Sequence, residues 1–431
     1  MSPNQLDSSK LESISQNPPQ NLYAYLERKG VEYAPFDPAR MPSIFALVQP
    51  FLRFSPHIIH ILGTNGKGST GRFITLGLLA QGHSVLHFSS PHLFGFNERF
   101  YINGAHASDT DLEKAHEFLQ NLMCQNPPPH EAAYKSLHNA LESSSYFEYT
   151  TLLALVLAQD CEYFICEAGL GGEFDSTSVI KDMAEASVFT PISYDHTELL
   201  GDDIESIAAT KLRAMGRRAF LAPQRYKVVE SIAQEIAKQR GAKLSLITQE
   251  DIDSAYANNP SLHTYAKDFA PFLRENLIVA HKVLESISAP NPPQFCAVLP
   301  FDLAGRAQNL APNILLDVGH NPECARAVVE IVSQKRVNLV YNSFSQKDVR
   351  EILGIFKPVV NRLFIMPITH TRAIPELDLM GICAELGIRH EEFSPTLLRQ
   401  MQDEPEDNVV YVVFGSFSVV EAFLEMWNAR R

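Results

Sequence analysis

Residues 58–70 read IIHILGTNGKGST, and their types and spacing suit the binding of phosphate. A strand-like apolar run, Ile58 to Leu62, enters the glycine-bearing stretch, and RFITLGLLA continues with helical apolar spacing. In the order strand, tight loop, helix start, glycines let successive N–H groups converge on an anion. The helix N-terminus adds its positive dipole end, and Lys67 adds a point charge. The loop is a variant of the common nucleotide pattern. Position 61 is Ile where the first glycine usually stands, and Gly68 separates Lys67 from Ser69. Glycine-rich turns before helices are common; the strand before this one and the GKGS core favour a nucleotide.

A triphosphate brings a need for magnesium and for hard oxygen ligands. YFICE ends in Glu167 immediately before AGLGG, so a carboxylate stands at the tip of an apolar strand, where it serves either as a metal ligand or as a cap on the glycine turn. VFTPISYDHTELLG places Asp195 and His196 just past another strand, and spacing alone does not single out His196, because a lone histidine is more often structural. AGLGG lacks the glycine spacing of a dinucleotide fingerprint. NILLDVGHNP sets Asp317 and His320 at a further strand end, with Arg306 shortly before in AGRAQ. An Arg fork neutralises phosphate and an Asp accepts from ribose hydroxyls, although a surface salt bridge explains these three equally well. G-x-S-x-G, H-E-x-x-H and a Cys with His in a known local pattern are all missing, so positioning and electrostatics remain as the means of catalysis.

These residues must be held by a scaffold, and the apolar segments HIIHIL, SVLHFSS, EYFICEA, EASVFTPIS and RAFLAP alternate with amphipathic stretches such as EYTTLLALVLAQ. That alternation predicts a largely parallel α/β sheet whose ligands sit at the carboxyl ends of its strands. FLRENLIVAHKVLESIS reads as a helix, and the proline-rich SAPNPPQ predicts a connector at residues 288–294. NILLDV, VNLVYNSF, RLFIMPI and NVVYVVFGSF then predict a second, smaller α/β domain. PPP at 127–129 and QDEPEDN at 402–408 read as surface loops. The expected division is residues 1–290 and 291–431, in keeping with a length of 431 residues. Thirty-six Lys and Arg against 50 Asp and Glu give a net charge of −14, which opposes nucleic acid and anionic membranes as partners. The six cysteines have no metal spacing and fit a reducing compartment. With no secretion-signal pattern at the N-terminus and no apolar run near the roughly 20 residues of a membrane span, the expected location is the cytoplasm.

Taken in order, GTNGKGS (63–69), SSPHL (89–93), NERFYINGAHASD (97–109), FEYTT (147–151), EAGLGG (167–172), DHTELLG (195–201), DVGHNP (317–322) and VFGSF (413–417) resemble the folylpolyglutamate synthase and dihydrofolate synthase family of the Mur ligase superfamily. The resemblance runs from about residue 36 to the C-terminus. It implies a Mur-type P-loop ATPase domain with a mostly parallel sheet, plus a smaller Rossmann-like C-terminal domain, in a monomer. It also implies a reaction. ATP phosphorylates a carboxylate of dihydropteroate or a folate, and the amino group of L-glutamate attacks the acyl phosphate to give an amide. Gly63, Thr64, Asn65, Gly66, Lys67, Gly68 and Ser69 would hold the phosphates, and Ser90, Glu167 and His196 match the family's magnesium ligands. Lys211 in ATKLRAM matches a lysine carried as a carbamate that helps hold a second magnesium. Asn276 would meet adenine, and Arg306 and Asp317 the phosphate and ribose. His320 would lie near the transferred phosphoryl, and Lys67, His196, Lys211 and His320 together form the expected catalytic set. Phe147, Glu148, Phe174 and Asp175 fall on substrate-contacting stretches.

Two stretches depart from the family pattern. KAGI is replaced by Lys211-Leu212-Arg213-Ala214, and GGR-x-D-x-TN by the run from Gly171 to Ser178, with Glu173 in place of arginine. YAPFDPARM, with Asp37 and Arg40, also matches poorly the segment that encloses the pterin. Rival readings are a Mur-type ligase for another carboxylate, a P-loop kinase and a non-enzymatic nucleotide switch. The kinase would lack DVGHNP, and strand-end metal ligands would be superfluous in the switch.

Overall fold

Continuous apolar runs such as His57–Leu62 and Tyr163–Glu167 are what a strand needs when both faces of its sheet are covered. The computed structural model describes residues 21–30, 37–124, 131–287, 299–403 and 408–429. The expected connector at 288–294, the 290/291 boundary and the prolines at 127–129 lie outside the described residues, as do residues 404–407 of the acidic loop.

The first sheet holds β1 (His57–Leu62), β2 (Val85–Phe88), β3 (Phe100–Ile102), β4 (Ala105–His106), β5 (Tyr163–Glu167), β6 (Ala186–Phe189), β7 (Arg218–Leu221) and β8 (Lys243–Leu246), in the order β4-β3-β2-β5-β1-β6-β7-β8. It is parallel from β2 to β8, and the β3–β4 edge is antiparallel. The second sheet holds β9 (Gln308–Ala311), β10 (Ile314–Leu316), β11 (Arg336–Tyr341), β12 (Val360–Ile365), β13 (His390–Glu392) and β14 (Val409–Phe414), in the order β13-β12-β11-β14-β10-β9. Only β9 runs antiparallel to its neighbour among these described strands. Both sheets are thus mostly parallel, as the alternation of apolar segments predicts.

Helices cover both faces of each sheet. On the first sheet, Phe73, Ile74 and Leu78 of the helix Lys67–Ala80 pack with Leu277, Val283 and Leu284 of the helix Pro271–Ile287. Ile207 and Leu212 of the helix Ile204–Leu212 pack on the other face with Val229 and Ala233. Each such fully buried side chain contributes roughly 1.5–3 kcal/mol of transfer free energy, which fixes the strand ends from which the site is built. Both sheets belong to one compact unit, residues 56–106 and 161–431; the described residues up to Ser55 form a second, helical unit with Ala107–Asp160. No described helix is long and apolar enough to cross a membrane.

Candidate active site

The loop after β1 is shaped by its glycines. Gly63 has φ of +134°, and a side chain there would strike Thr190 Oγ1 at 2.1 Å; Gly66 has φ of +87° and lies against the Asn276 carboxamide. Both positions therefore demand glycine. Thr64 N and Asn65 N donate to Pro191 O, and Thr64 Oγ1 to Ser193 O, which ties the loop to the segment after β6. The helix Lys67–Ala80 then begins without a side-chain cap. A helix start that no side chain caps meets the condition for holding an anion.

Lys67 Nζ folds back on its own loop, donating to Thr64 O at 3.2 Å and Gly63 O at 3.4 Å, and lies 4.0 Å from Glu167 Oε1. Glu167, at the end of β5, is buried and accepts from the Ser90 backbone N–H. Burial pushes its pKa up to about 7, against the lowering effect of Lys67 and Arg306. Ser69 Oγ and Thr70 Oγ1 are buried and have no hydrogen-bond partner among the described residues. Such hydroxyls are costly unless something else meets them. Lys211 Nζ is buried, donates to Gly63 O at 3.1 Å, and is pushed down to about 7 by burial and then by the charge of Lys67.

These groups fit a magnesium ion accompanying phosphate. Glu167, Ser69 and Ser90 offer hard oxygens around one loop, while no three His, Cys, Asp or Glu side chains converge as a complete protein site among the described residues. Magnesium takes few protein ligands and fills the rest with phosphate and water. His196 belongs to an adjacent group. It has left-handed backbone at φ 53°, and burial, against the raising effect of Asp195 and with the help of Lys347, holds its pKa down at about 3, so the imidazole is neutral. Its neighbour Asp195 is buried and accepts from Lys347 Nζ at 2.5 Å, with His320 Nε2 at 3.5 Å and His196 Nε2 at 3.8 Å. Burial opposes ionisation of Asp195, yet the hydrogen bond from His320 and the surrounding positive charges hold its carboxyl well below the usual range.

The second sheet supplies the facing wall. Asp317 follows β10, its oxygens taken by Gly319 N at 2.8 Å and Ala307 N at 2.9 Å. Asn321 caps the helix Pro322–Val332 and donates to Asn65 Oδ1 at 2.8 Å, so the loops after β1 and β10 meet. Arg306 is packed over the Phe417 ring at 5.1 Å and points toward Gly68. The structure therefore brings together Gly63 to Ser69, Ser90, Glu167, Lys211, Asn276 and Arg306, with Asp195, His196 and His320 alongside.

The four expected acceptor contacts differ in their surroundings. Phe147 and Glu148 stand at the start of the helix Tyr146–Leu157 in the helical unit, where Glu148 accepts from Arg40 Nε at 2.7 Å and Ser145 N at 2.6 Å. Phe174 is 49% exposed, whereas Asp175 is buried and uses its carboxylate on Leu170 N, Thr177 N and Thr177 Oγ1. The departures at 173 and 213 prove to be one feature, since Arg213 Nη1 lies 3.1 Å from Glu173 Oε2. Sequence reading missed Lys347 and Asn321. Lys347 follows β11, and the carboxyl end of that strand was the only signal for it.

No family model matches the chain. It is 28% identical over 403 residues to the dihydrofolate synthase/folylpolyglutamate synthase of Escherichia coli (strain K12), covering 88% of this chain and 89% of that one. Its fold matches the crystal structure of Helicobacter pylori folylpolyglutamate synthetase with a TM-score of 0.70 and 40% identity, over 95% of this chain and 98% of that one. A bifunctional folylpolyglutamate synthase/dihydrofolate synthase with Mn, AMPPNP and L-glutamate bound matches with a TM-score of 0.74 and 25% identity, over 95% and 98%.

Proposed function

The chain belongs to the folylpolyglutamate synthase and dihydrofolate synthase family, and we propose that it uses ATP to join L-glutamate to dihydropteroate or to a folate carboxylate. The observation that carries this reading is the uncapped helix start beside Lys67 with the under-paired Glu167 and Ser69 around it. Lys67 exchanges its own loop carbonyls for the terminal phosphates, and the N–H groups at the helix start hold the phosphate oxygens. Arg306 approaches from the second sheet to offset phosphate charge, and Asp317 and Asn276 complete the nucleotide site. The acceptor carboxylate takes the γ-phosphoryl to give an acyl phosphate and ADP; the amine of glutamate then attacks the acyl carbon, an amide C–N bond forms, and phosphate leaves.

Glu167, Ser69, Ser90 and neutral His196 would hold magnesium, which supplies charge neutralisation between the triphosphate and the acceptor carboxylate. Lys211, lowered by burial to about 7, has a neutral amine fraction near pH 7 suited to carry a carbamate that would help hold a second ion. His320 carries its Nδ1 proton toward Val318 O at 3.2 Å, which orients Nε2 toward Asp195 and the transferred group. Phe174 presents an exposed ring for the aryl part of the acceptor. In this reading the protein works as a monomer in the cytoplasm.

ADP release with ATP, magnesium and L-glutamate tests the proposal, comparing dihydropteroate, tetrahydrofolate and no acceptor. Release with dihydropteroate alone marks a dihydrofolate synthase, and with both acceptors a bifunctional enzyme. Release with neither overturns the folate reading and favours another carboxylate.

A further inference from the structure

Arg72, on the helix that starts at Lys67, is 1% exposed. A buried guanidinium is costly unless it is paired, and here it makes three contacts. Nη1 donates to Asp302 Oδ1 at 2.6 Å, Nε approaches His87 Nδ1 at 3.4 Å, and the guanidinium plane lies 3.5 Å from the centroid of the Tyr101 ring. His87 is fully buried and, by that burial first and Arg72 second, held well below its ordinary pKa. It is therefore a neutral acceptor.

Asp302 belongs to the segment that enters the second sheet, and its neighbours lie along the same helix. The Phe301 ring stacks on Phe73 with centroids 4.5 Å apart, and Tyr265 Oη donates to Leu299 O just before it. Farther on, a methyl group at Gly68 would come within 3.5 Å of Leu303 and 3.8 Å of an Arg306 nitrogen. Residues 301–306 thus run back along the helix from Phe73 toward the phosphate loop, about 7 Å along its axis. Arg306 stands at the end of that run, stacked on Phe417 and hydrogen-bonded only to Gly305 O among the described residues. The Glu167 and Asp317 carboxylates lie near its head group as well, so its reach is set by these contacts together with the run of chain that carries it.

We propose that Arg72 and Asp302 are positioning residues, whose ion pair sets the register of residues 301–306 along the helix and so delivers the Arg306 guanidinium to the phosphate loop. The proposal rests on Arg306 meeting phosphate in the reading above. It assigns to a buried pair outside the phosphate loop the task of presetting a nucleotide contact, which lowers the ordering cost of binding.

The test is AMPPNP binding with magnesium, measured by calorimetry, because this readout needs no acceptor. Asp302 is 38% exposed at its side chain but Arg72 is buried, so a thermal melt of each variant accompanies the binding measurement to confirm that it is folded. Asp302→Ala is expected to weaken AMPPNP binding about tenfold, and the Asp302→Ala/Arg306→Ala double variant to bind no more weakly than Arg306→Ala, because the two act through one contact. Asp302→Asn, which keeps the shape and removes the charge, should weaken binding similarly, and Asp302→Glu should recover part of it. Losses that multiply in the double variant, or unchanged binding by Asp302→Ala and Asp302→Asn, would overturn the proposal. A wild-type protein that binds AMPPNP and does not turn over folates would defeat the functional reading and leave this one standing.

Discussion

In the helical unit, Glu148 is met by Arg40 Nε at 2.7 Å and by Ser145 N at 2.6 Å, and Lys29 donates to Leu141 O, Glu142 O and Ser144 Oγ. At the carboxyl end of the eight-stranded sheet, Glu167 is as deeply buried as Glu148, yet it has a backbone N–H from Ser90 and a lysine 4.0 Å away. Ser69 and Thr70 beside it have no partner among the described residues. Two buried carboxylates in one chain thus face opposite conditions. Where the fold supplies all the hydrogen bonds, charge specifies structure. Where it withholds them, the shortfall is one that a charged ligand would fill.

The largest effect that tests this contrast is at Lys67. Lys67→Ala should reduce kcat by about a thousandfold or more, as loss of a phosphate-binding charge does, while the unfolding temperature stays near that of wild type. Steady-state ADP release beside a thermal melt checks both halves, and retained turnover would remove Lys67 from the phosphates. The converse substitution lies in the helical unit. Arg40→Ala should cost about 2 kcal/mol in urea unfolding, because it strands a buried carboxylate, and Arg40→Ala/Glu148→Gln should recover much of that loss. At the small end, the exposed Glu173–Arg213 pair contributes little: Glu173→Ala should change stability by less than about 0.5 kcal/mol. A larger loss would mean that the pair holds the loop beside Lys211.

Much of the contrast was legible in the residues. The central strands β1, β5 and β6 are short apolar runs, the residues after β1 and β5 pointed to the phosphate loop and Glu167, and His196 was reached only through the family resemblance. The strands β3, β4, β8, β9 and β13, at or beside the sheet edges, escaped notice because strands of two to four residues have too little periodicity to register. Lys347 escaped for a different reason. Its partner Asp195 lies 152 residues away, and such a pairing exists only once β6 and β11 are brought together by the fold. Glu173 and Arg213 read in sequence as two separate departures, and become one ion pair when Glu173 N bonds to Thr210 O. Asp175 was expected on a substrate-contacting stretch, and in the fold its carboxylate secures the loop that carries Phe174.

Glu167 also ties stability to pH. Its carboxyl ionises at about 7 in the folded protein against an ordinary 4.5, so between those values the native state holds a proton that the unfolded chain has released, and stability falls as pH rises through that window. Lys211 acts in the next window. Between about 7 and 10.5 the unfolded chain holds a proton that the native amine has lost, and stability rises with pH there.

The most direct measurement is therefore the unfolding temperature of wild type and Glu167→Gln at pH 8, with and without AMPPNP and magnesium. Without nucleotide the variant should melt higher, by the equivalent of about 1–3 kcal/mol, since it removes a buried charge the fold leaves under-paired. With nucleotide and magnesium, wild type should gain stability and the variant little. A variant that melts lower on its own, or gains as much as wild type from the nucleotide, would contradict the assignment of this under-paired carboxylate to the nucleotide and its metal.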